Sequence, residues 1–320
     1  MRDRPLLVGS LIVVLAASGF GILGPLARFA YEAGLDPLTF VAWRAIFGLA
    51  LIVAVVVGVR IWRGTALVNP FRLPLADRLG IVAAGLAGLG LNVAMFFAFD
   101  LTSIAIALLA FYTYPAFVAI AAAALGHERL DALRVAALGL AIGGMVLVVG
   151  GGLASGGEAT VHPLGVLLGL AAAGGQTVFV TVSRTRFRTL PPEQAMAWIM
   201  GITVVGCTGL AIATGGPFGV VLQRSDALAF AMLAGLVAAG IPSTLFLIGI
   251  RAIGGTRAGI LMLFEPLVGV TLAALLLHEA LTPIQALGGA AILAAAMLIQ
   301  LGSPTEERIE PAGVPSAERG

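Results

Sequence analysis

The chain has 320 residues, of which 60% are hydrophobic and 11% are charged, and its formal net charge is +2 at pH 7. Soluble domains carry about 25% charged residues, so a chain this apolar cannot cover its surface in water and must face lipid. The small net charge argues against a nucleic-acid partner. The single cysteine excludes an internal disulfide, and the absence of lysine excludes lysine-based catalysis.

Ten apolar runs follow one another along the chain. A membrane-spanning helix needs roughly 20 mostly apolar residues, and the ten runs predict an all-α integral membrane protein with ten transmembrane helices. Because the segments between the runs are short, we expect consecutive helices to be antiparallel neighbours, and we expect the first run to be retained, not cleaved as a signal peptide. The runs cover residues 6–30, 38–59, 79–99, 102–125, 133–150, 163–182, 194–213, 227–248, 256–277 and 283–301.

The arginines predict the orientation. With ten spans and a cytoplasmic N-terminus, fifteen arginines fall on the cytoplasmic side and only two, Arg28 and Arg224, on the other. Short cytoplasmic loops accumulate basic residues, so both termini of this multi-pass protein are predicted to be cytoplasmic. Residues 304–320 are charged and polar and are predicted to form a disordered cytoplasmic tail.

An internal repeat divides the chain. A shift of 151 residues aligns Pro115–Leu130 with Pro266–Leu281, with seven of sixteen positions identical, and a shift of 155 aligns Trp43 with Trp198. Each half holds five spans, so the second half enters the membrane from the opposite side. Such inverted-topology repeats build mid-membrane sites with alternating access in many secondary transporters. The predicted units are a first repeat over 1–150, a linker loop over 151–162 and a second repeat over 163–303.

Glu265 is the most unusual polar residue within a span. It lies eight residues beyond the arginine that precedes its span, about 12 Å along a helix, and ionisable residues at such depth usually face a cavity or a partner. Its repeat partner is Tyr114, and both precede prolines, Pro115 and Pro266, that predict matching kinks. Glu265 either lines a central cavity, binding a substrate amine or carrying a coupling proton, or is a structural residue held by a hydroxyl or by Arg44.

Further polar residues lie within the predicted spans. Asn92 aligns with Ser243, and Phe96 and Phe99 follow Asn92 at four and seven residues, so one helical face offers an amide and two rings. That face suits an amphipathic ligand with an aromatic side chain, and it also suits ordinary interhelical packing. Arg44 either attracts a carboxylate or extends to the outer interface. The candidate substrate-binding residues are Arg44, Asn92, Phe96, Phe99, Tyr114, Gln176, Ser243 and Glu265.

Other features predict structure, not chemistry. Glu128 and Glu279 each follow a histidine at the end of a span, where they are expected to cap or pair. The spacing of Gly139 and Gly143 predicts a close helix contact. No metal site and no cofactor are predicted.

The segments GHERL and LHEAL, with LFEPLVGVTLAALLLHEALTPIQALGGAAILAAAMLI around the second, resemble the EamA family of the drug/metabolite transporter superfamily over nearly the whole chain. The resemblance implies a ten-helix inverted repeat that exports small metabolites. The family's Glu-Pro maps to Glu265 and Pro266, and its helix-end glutamates to Glu128 and Glu279, whereas the first copy has Tyr114 in place of the first glutamate. Within the superfamily the chain looks most like bacterial inner-membrane exporters of amino acids, including aromatic ones.

We therefore expect a secondary transporter, not an enzyme, that exports amino acids or related metabolites through a cavity between the repeats. Its partners would be the small-molecule substrate and the lipid bilayer, and the oligomeric state is unknown. The alternative is an exporter of other small organic compounds or drugs. A membrane enzyme would need clustered carboxylates or a Ser/His pair, yet the sequence has no DDxxD-like cluster and no mid-span histidine. A receptor or scaffold would need a soluble domain or a long loop.

Overall fold

The computed structural model describes residues 3–64, 66–102, 104–126, 131–154, 162–276 and 282–301, and within these ranges the chain is helical with no strand. The first half contains α1 (Asp3–Gly21), α2 (Leu23–Glu32), α3 (Pro37–Arg63), α4 (Leu75–Leu101), α5 (Ile104–Phe111), α6 (Tyr114–Ala124) and α7 (Ala132–Ala154). The second contains α8 (Pro163–Thr185), α9 (Pro192–Ala213), α10 (Val220–Gln223), α11 (Ser225–Gly235), α12 (Ile241–Ile253), α13 (Gly255–Met262), α14 (Phe264–Leu276) and α15 (Pro283–Leu301). A 3₁₀ turn at Pro70–Arg72 precedes α4.

The helices are long and apolar enough to make this a multi-pass membrane protein. Seven segments of the described chain could each cross a bilayer by length and composition: Leu6–Glu32, Pro37–Trp62, Leu75–Met95, Ala107–Ala124, Pro163–Thr185, Pro192–Ala213 and Ser225–Ile253. Two shorter apolar helices, Ala132–Val148 and Pro283–Leu298, follow the same pattern. The all-helical membrane class is thus confirmed. The number of ten spans stays a prediction, since the ninth run is divided between α13 and α14 and reaches residues outside the described ranges.

Local sequence signals explain where α3 begins and ends. The Asp36 carboxylate accepts a hydrogen bond from the Thr39 backbone N–H at 3.1 Å, and Pro37 occupies the first helical position. The helix ends at Gly64, whose φ of 61° lies in the left-handed region that glycine adopts readily. Between these ends the backbone satisfies its own hydrogen bonds, as a segment in lipid must.

The most extensive helix contacts join the two halves. They pair α3 with α9, α4 with α8, α1 with α12 and α7 with α15. Helices α3 and α9 are antiparallel, because Arg60 near the end of α3 pairs with Glu193 at the start of α9 at 3.8 Å. Consecutive helices also contact each other, for example α2 with α3 and α3 with α4, but less extensively. Short loops limit how far apart consecutive helices lie, but the apolar faces of the repeats bury each other.

One of these contacts depends on glycine. A Cβ added to Gly144 in α7 would lie 2.7 Å from the Gly288 carbonyl oxygen in α15, and a Cβ on Gly288 would lie 2.5 Å from the Gly144 oxygen. Gly139 and Gly143, predicted to make the close contact, would meet nothing within 4 Å. Gly144 takes their place because one residue along a helix turns the side-chain direction by about 100°.

Two spans change geometry near their middle. Tyr112 and Thr113 separate α5 from α6, and Leu263 separates α13 from α14. Under the 151-residue shift Tyr112 corresponds to Leu263. A proline follows each break and removes one backbone N–H donor, which favours interruption of the helix at this depth.

A third irregularity lies between α11 and α12, where residues Leu236–Gly240 form a π-helical turn. Glycines pack against this turn. A Cβ added to Gly48 of α3 would lie 3.0 Å from the Gly235 oxygen, and one on Gly240 would lie 2.9 Å from the Gly48 oxygen. The backbones of the two halves are therefore in direct contact here.

Candidate functional site

Two broken helices, one from each half, bring Glu265 and Tyr112 together. Glu265 lies in the first turn of α14 and is half-buried, and Tyr112 lies at the break between α5 and α6 and is 3% exposed. The Tyr112 hydroxyl donates a hydrogen bond to the Glu265 carboxylate. The breaks thus place a carboxylate and a phenol side by side within the apolar part of the protein.

Helix α1 contacts the start of α14 at Gly21. A Cβ on Gly21 would lie 2.8 Å from the Glu265 carbonyl oxygen and 2.8 Å from the Val268 Cβ. No side chain at position 21 fits in this contact without movement of its neighbours. Gly21 therefore allows the backbone of α14 at Glu265 to pack directly against α1.

Replacing Gly21 with alanine should therefore lower the free energy of unfolding by about 1–3 kcal/mol, the usual effect of overpacking. The measurement is the melting temperature of the purified protein in detergent. Gly143→Ala is the matched control, since its added Cβ would meet nothing within 4 Å and alanine favours the helix. Equal melting temperatures for the two variants would contradict the contact.

Arg44 provides the opposite charge. It is half-buried in α3, and its Nη2 donates to the Asn92 Oδ1 at 2.9 Å, while the Asn92 amide donates to the Gly88 carbonyl oxygen at 2.7 Å. Among the described residues, the buried Nε of Arg44 has no hydrogen-bond partner. Arg44 and Glu265 interact electrostatically, yet within the described chain they form no ion pair at or below 4.0 Å. The site therefore holds an arginine and a glutamate that do not form an ion pair with each other.

The tyrosine bonded to Glu265 belongs to an aromatic cluster. The Phe111 ring lies 5.3 Å from the Tyr112 ring and 5.4 Å from the Tyr114 ring, centroid to centroid. These distances are typical of interacting aromatic pairs. Tyr114 is 1% exposed and lies within electrostatic range of Glu265, so two phenols of this cluster are near the carboxylate.

The remaining candidates either have no described contact with this group or lie outside the described part of the chain. Gln176 in α8 and Ser243 in α12 are half-buried, and no contact described for either side chain joins it to Arg44 or Glu265. Phe96 and Phe99 belong to α4, but their side chains are outside the described part, as are Glu128 and Glu279 altogether.

Sequence reasoning missed Tyr112. The 151-residue shift pairs Glu265 with Tyr114, which directed attention to Tyr114 alone, whereas the hydrogen bond to Glu265 comes from Tyr112. The available signal was the motif FYTYP, which places two phenols within a predicted span just before a proline. Asn92 was predicted to serve either a ligand or interhelical packing, and its amide oxygen accepts a hydrogen bond from Arg44 of the neighbouring helix.

Broken helices from two repeats that meet at buried polar groups define a membrane transporter. The comparisons agree with this class. The model of the EamA-like transporter family matches the chain twice, over residues 7–150 and 163–301. The chain belongs to this family, within the drug/metabolite transporter superfamily.

A relative and a solved structure cover most of the chain. A protein of Archaeoglobus fulgidus (strain ATCC 49558 / DSM 4304 / JCM 9628 / NBRC 100126 / VC-16), described as an uncharacterized transporter, is 26% identical over 292 residues, which are 91% of this chain and 95% of that protein. A protein of known crystal structure aligns with a TM-score of 0.72 and 21% identity over 91% of this chain and 96% of its own. At that identity the likeness supports the fold alone.

Proposed function

We propose that this protein is a secondary transporter that exports amino acids, including aromatic ones, or closely related zwitterionic metabolites. The substrate would bind between Arg44 and Glu265, with its carboxylate at the guanidinium and its ammonium at the carboxylate. The two repeats would expose this site alternately to the two sides of the membrane. Export across an inner membrane, with both termini cytoplasmic, is supported by the family resemblance and by the distribution of arginines.

The observation that carries the proposal is the unpaired state of Arg44 and Glu265. Desolvation of an ionisable group is compensated by close opposite charge and by hydrogen bonds, and each of these two groups has a hydrogen bond but, among the described residues, no opposite charge within 4.0 Å. A ligand that carries both signs would supply the missing opposite charge to each. A zwitterion supplies an ammonium and a carboxylate on one carbon, and it would neutralise both protein groups at once.

The surroundings of each charge support the same substrate class. Arginine presents a planar fork of donors that matches a carboxylate, and the hydrogen bond from Arg44 to Asn92 leaves its remaining N–H groups for a ligand. The aromatic cluster of Phe111, Tyr112 and Tyr114, whose Tyr112 is bonded to Glu265, would contact an aromatic or large apolar side chain.

Counterflow in proteoliposomes tests the substrate class. Liposomes loaded with phenylalanine should take up labelled phenylalanine at least tenfold faster than protein-free liposomes. Phenethylamine, which lacks the carboxylate, and 3-phenylpropanoate, which lacks the amine, should each compete at least tenfold more weakly than phenylalanine. The assignment is wrong if no amino acid moves under any gradient, or if either single-charge analogue competes as well as the zwitterion.

A further inference from the structure

Two equivalent loops contact the tryptophans of the opposite half. The loop after α3 contains Pro70 and Phe71, and the loop after α9 contains Pro217 and Phe218. Phe218 stacks on Trp43 with ring centroids 4.8 Å apart, and Phe71 meets Trp198 edge-on at 6.3 Å. Because Trp43 and Trp198 are equivalent under the 155-residue shift, the two contacts, here named the Trp43 contact and the Trp198 contact, are related by the repeat.

The two contacts lie at opposite ends of the antiparallel pair α3 and α9. Trp43 is in the second turn of α3 and Trp198 in the second turn of α9. Residue 60 of α3, which pairs with the start of α9, is about 26 Å along the helix from Trp43. In a protein whose helices cross the bilayer, the two contacts therefore lie near opposite membrane surfaces.

Each loop is also held by the first turn of the helix that carries the tryptophan. At the Trp43 end, a Cβ on Gly216 would lie 2.7 Å from the Thr39 hydroxyl, so the loop lies directly against that residue. At the Trp198 end, the Gln194 side chain hydrogen-bonds both the N–H and the carbonyl of Val68. Gln194 is the equivalent of Thr39 under the 155-residue shift, so both loops contact the same position of the first turn, by hydrogen bonds at Gln194 and by packing at Thr39.

The two contacts differ in closeness. The Trp43 rings are stacked at an interplanar angle of 28°, and the indole Nε1 donates to the Phe218 carbonyl oxygen at 3.0 Å. At the other end the Phe71 ring is 72% exposed and the Trp198 ring 42% exposed, with an interplanar angle of 77°. The ring contact is thus stacked and hydrogen-bonded at the Trp43 end, whereas at the Trp198 end the rings meet only edge-on and Gln194 holds the loop.

We propose that Phe218 and Phe71 are the gate residues at the two ends of the transport path. The Trp43 contact closes one membrane surface while the Trp198 contact is loose, and the reverse holds after the halves exchange roles. This inference rests on the proposed transport cycle, but it is independent of which substrate is carried.

A natural reporter lies beneath the Trp43 contact. Cys207, the single cysteine of the chain, is 1% exposed in a cluster that Phe218 covers together with Leu38 and Leu89. Opening of the Trp43 contact removes the Phe218 cover. The rate at which Cys207 reacts with a membrane-impermeant maleimide therefore reports how often this gate is open, with no engineered thiol.

The test measures that rate in the full-length protein in liposomes, with reagent on each side in turn. Phe218→Ala should raise the rate at least tenfold from one side only. Trp43→Phe is the second variant, for the case that Phe218→Ala does not fold. It keeps a ring but removes the indole donor, and it should raise the rate severalfold. Phe71→Ala should lower the rate at least threefold, because it weakens the state in which the Trp43 contact is open.

The reciprocal effect of Phe71→Ala distinguishes a gate from local packing, because Phe71 lies at the far end of α9 from Cys207. Trp62→Ala is the matched control, since this ring is 83% exposed on α3, and it should leave the rate unchanged. The gate proposal is wrong if Phe71→Ala reacts like wild type or if Phe218→Ala fails to accelerate labelling. If the variants change Cys207 labelling as expected but no amino acid shows counterflow, the gate proposal stands and the substrate proposal is wrong. If amino acids show counterflow but the variants leave Cys207 labelling unchanged, the substrate proposal stands and the gate proposal is wrong.

Discussion

Glu265→Gln should reduce counterflow of phenylalanine by about 10- to 100-fold. Glutamine has nearly the same shape and still accepts a hydrogen bond from Tyr112, so the variant removes little except the negative charge. A hydrogen bond to a charged group contributes about 1.5–3 kcal/mol, which corresponds to the expected loss in rate at about 1.4 kcal/mol per tenfold. Initial counterflow rates and the melting temperature are measured on the same preparation.

The matched control is Glu32→Gln. Glu32 forms a helical ion pair with Arg28 at 3.7 Å, and its side chain is 65% exposed. Exposed pairs of this kind contribute about 0–1 kcal/mol, so this variant should transport within about twofold of wild type. A Glu265→Gln protein with a lowered melting temperature and normal counterflow would show that the carboxylate is structural.

Arg44→Gln should produce the complementary change in specificity. Loss of the guanidinium removes the partner of the substrate carboxylate, so phenylalanine counterflow should fall by about 10- to 100-fold on the same energetic grounds. Inhibition by phenethylamine should change by less than about twofold, because an amine without a carboxylate gains nothing from Arg44. Competition curves for the two compounds against labelled phenylalanine provide the measurement.

Arg28→Gln is the control for loss of an arginine, because this side chain is 57% exposed. The specificity shift is the decisive readout for Arg44. If Arg44→Gln weakens phenylalanine and phenethylamine equally, Arg44 acts through packing with Asn92 and the zwitterion site must be abandoned.

Much of the architecture could be predicted because hydropathy and repeats are one-dimensional signals. The helical membrane class follows from apolar runs, and the breaks near Tyr112 and Leu263 lie within a few residues of the aligned prolines. Helix partners could not be predicted in the same way. Which helices pair between the halves depends on the shapes of their packed faces. Gly144 contacts α15 and Gly143 does not, because neighbouring residues of a helix point in directions about 100° apart.

The candidate site was predictable residue by residue but not as an arrangement. Glu265 and Arg44 could be identified by their depth within predicted spans, since an ionisable side chain in lipid is costly and usually faces a cavity or a partner. Nothing in the spacing shows that Asn92 contacts Arg44, because α3 and α4 meet only through the tertiary fold. By sequence alone, Trp43 and Trp198 fit the usual role of tryptophan near span ends, which is to anchor the span at the membrane interface. Their contacts with phenylalanines of the opposite half require the folded loops.

The π-helical turn at Leu236–Gly240 has a consequence for how this span tolerates change in length. Such a turn holds one residue more than an α-helical turn, so a deletion within it would restore regular winding without ending the helix. Ser243 and everything downstream would then keep about the same facing as Ser225 and its neighbours, because the wider turn takes up the extra residue locally. A lineage could therefore lose one codon here without re-aiming the rest of the membrane span.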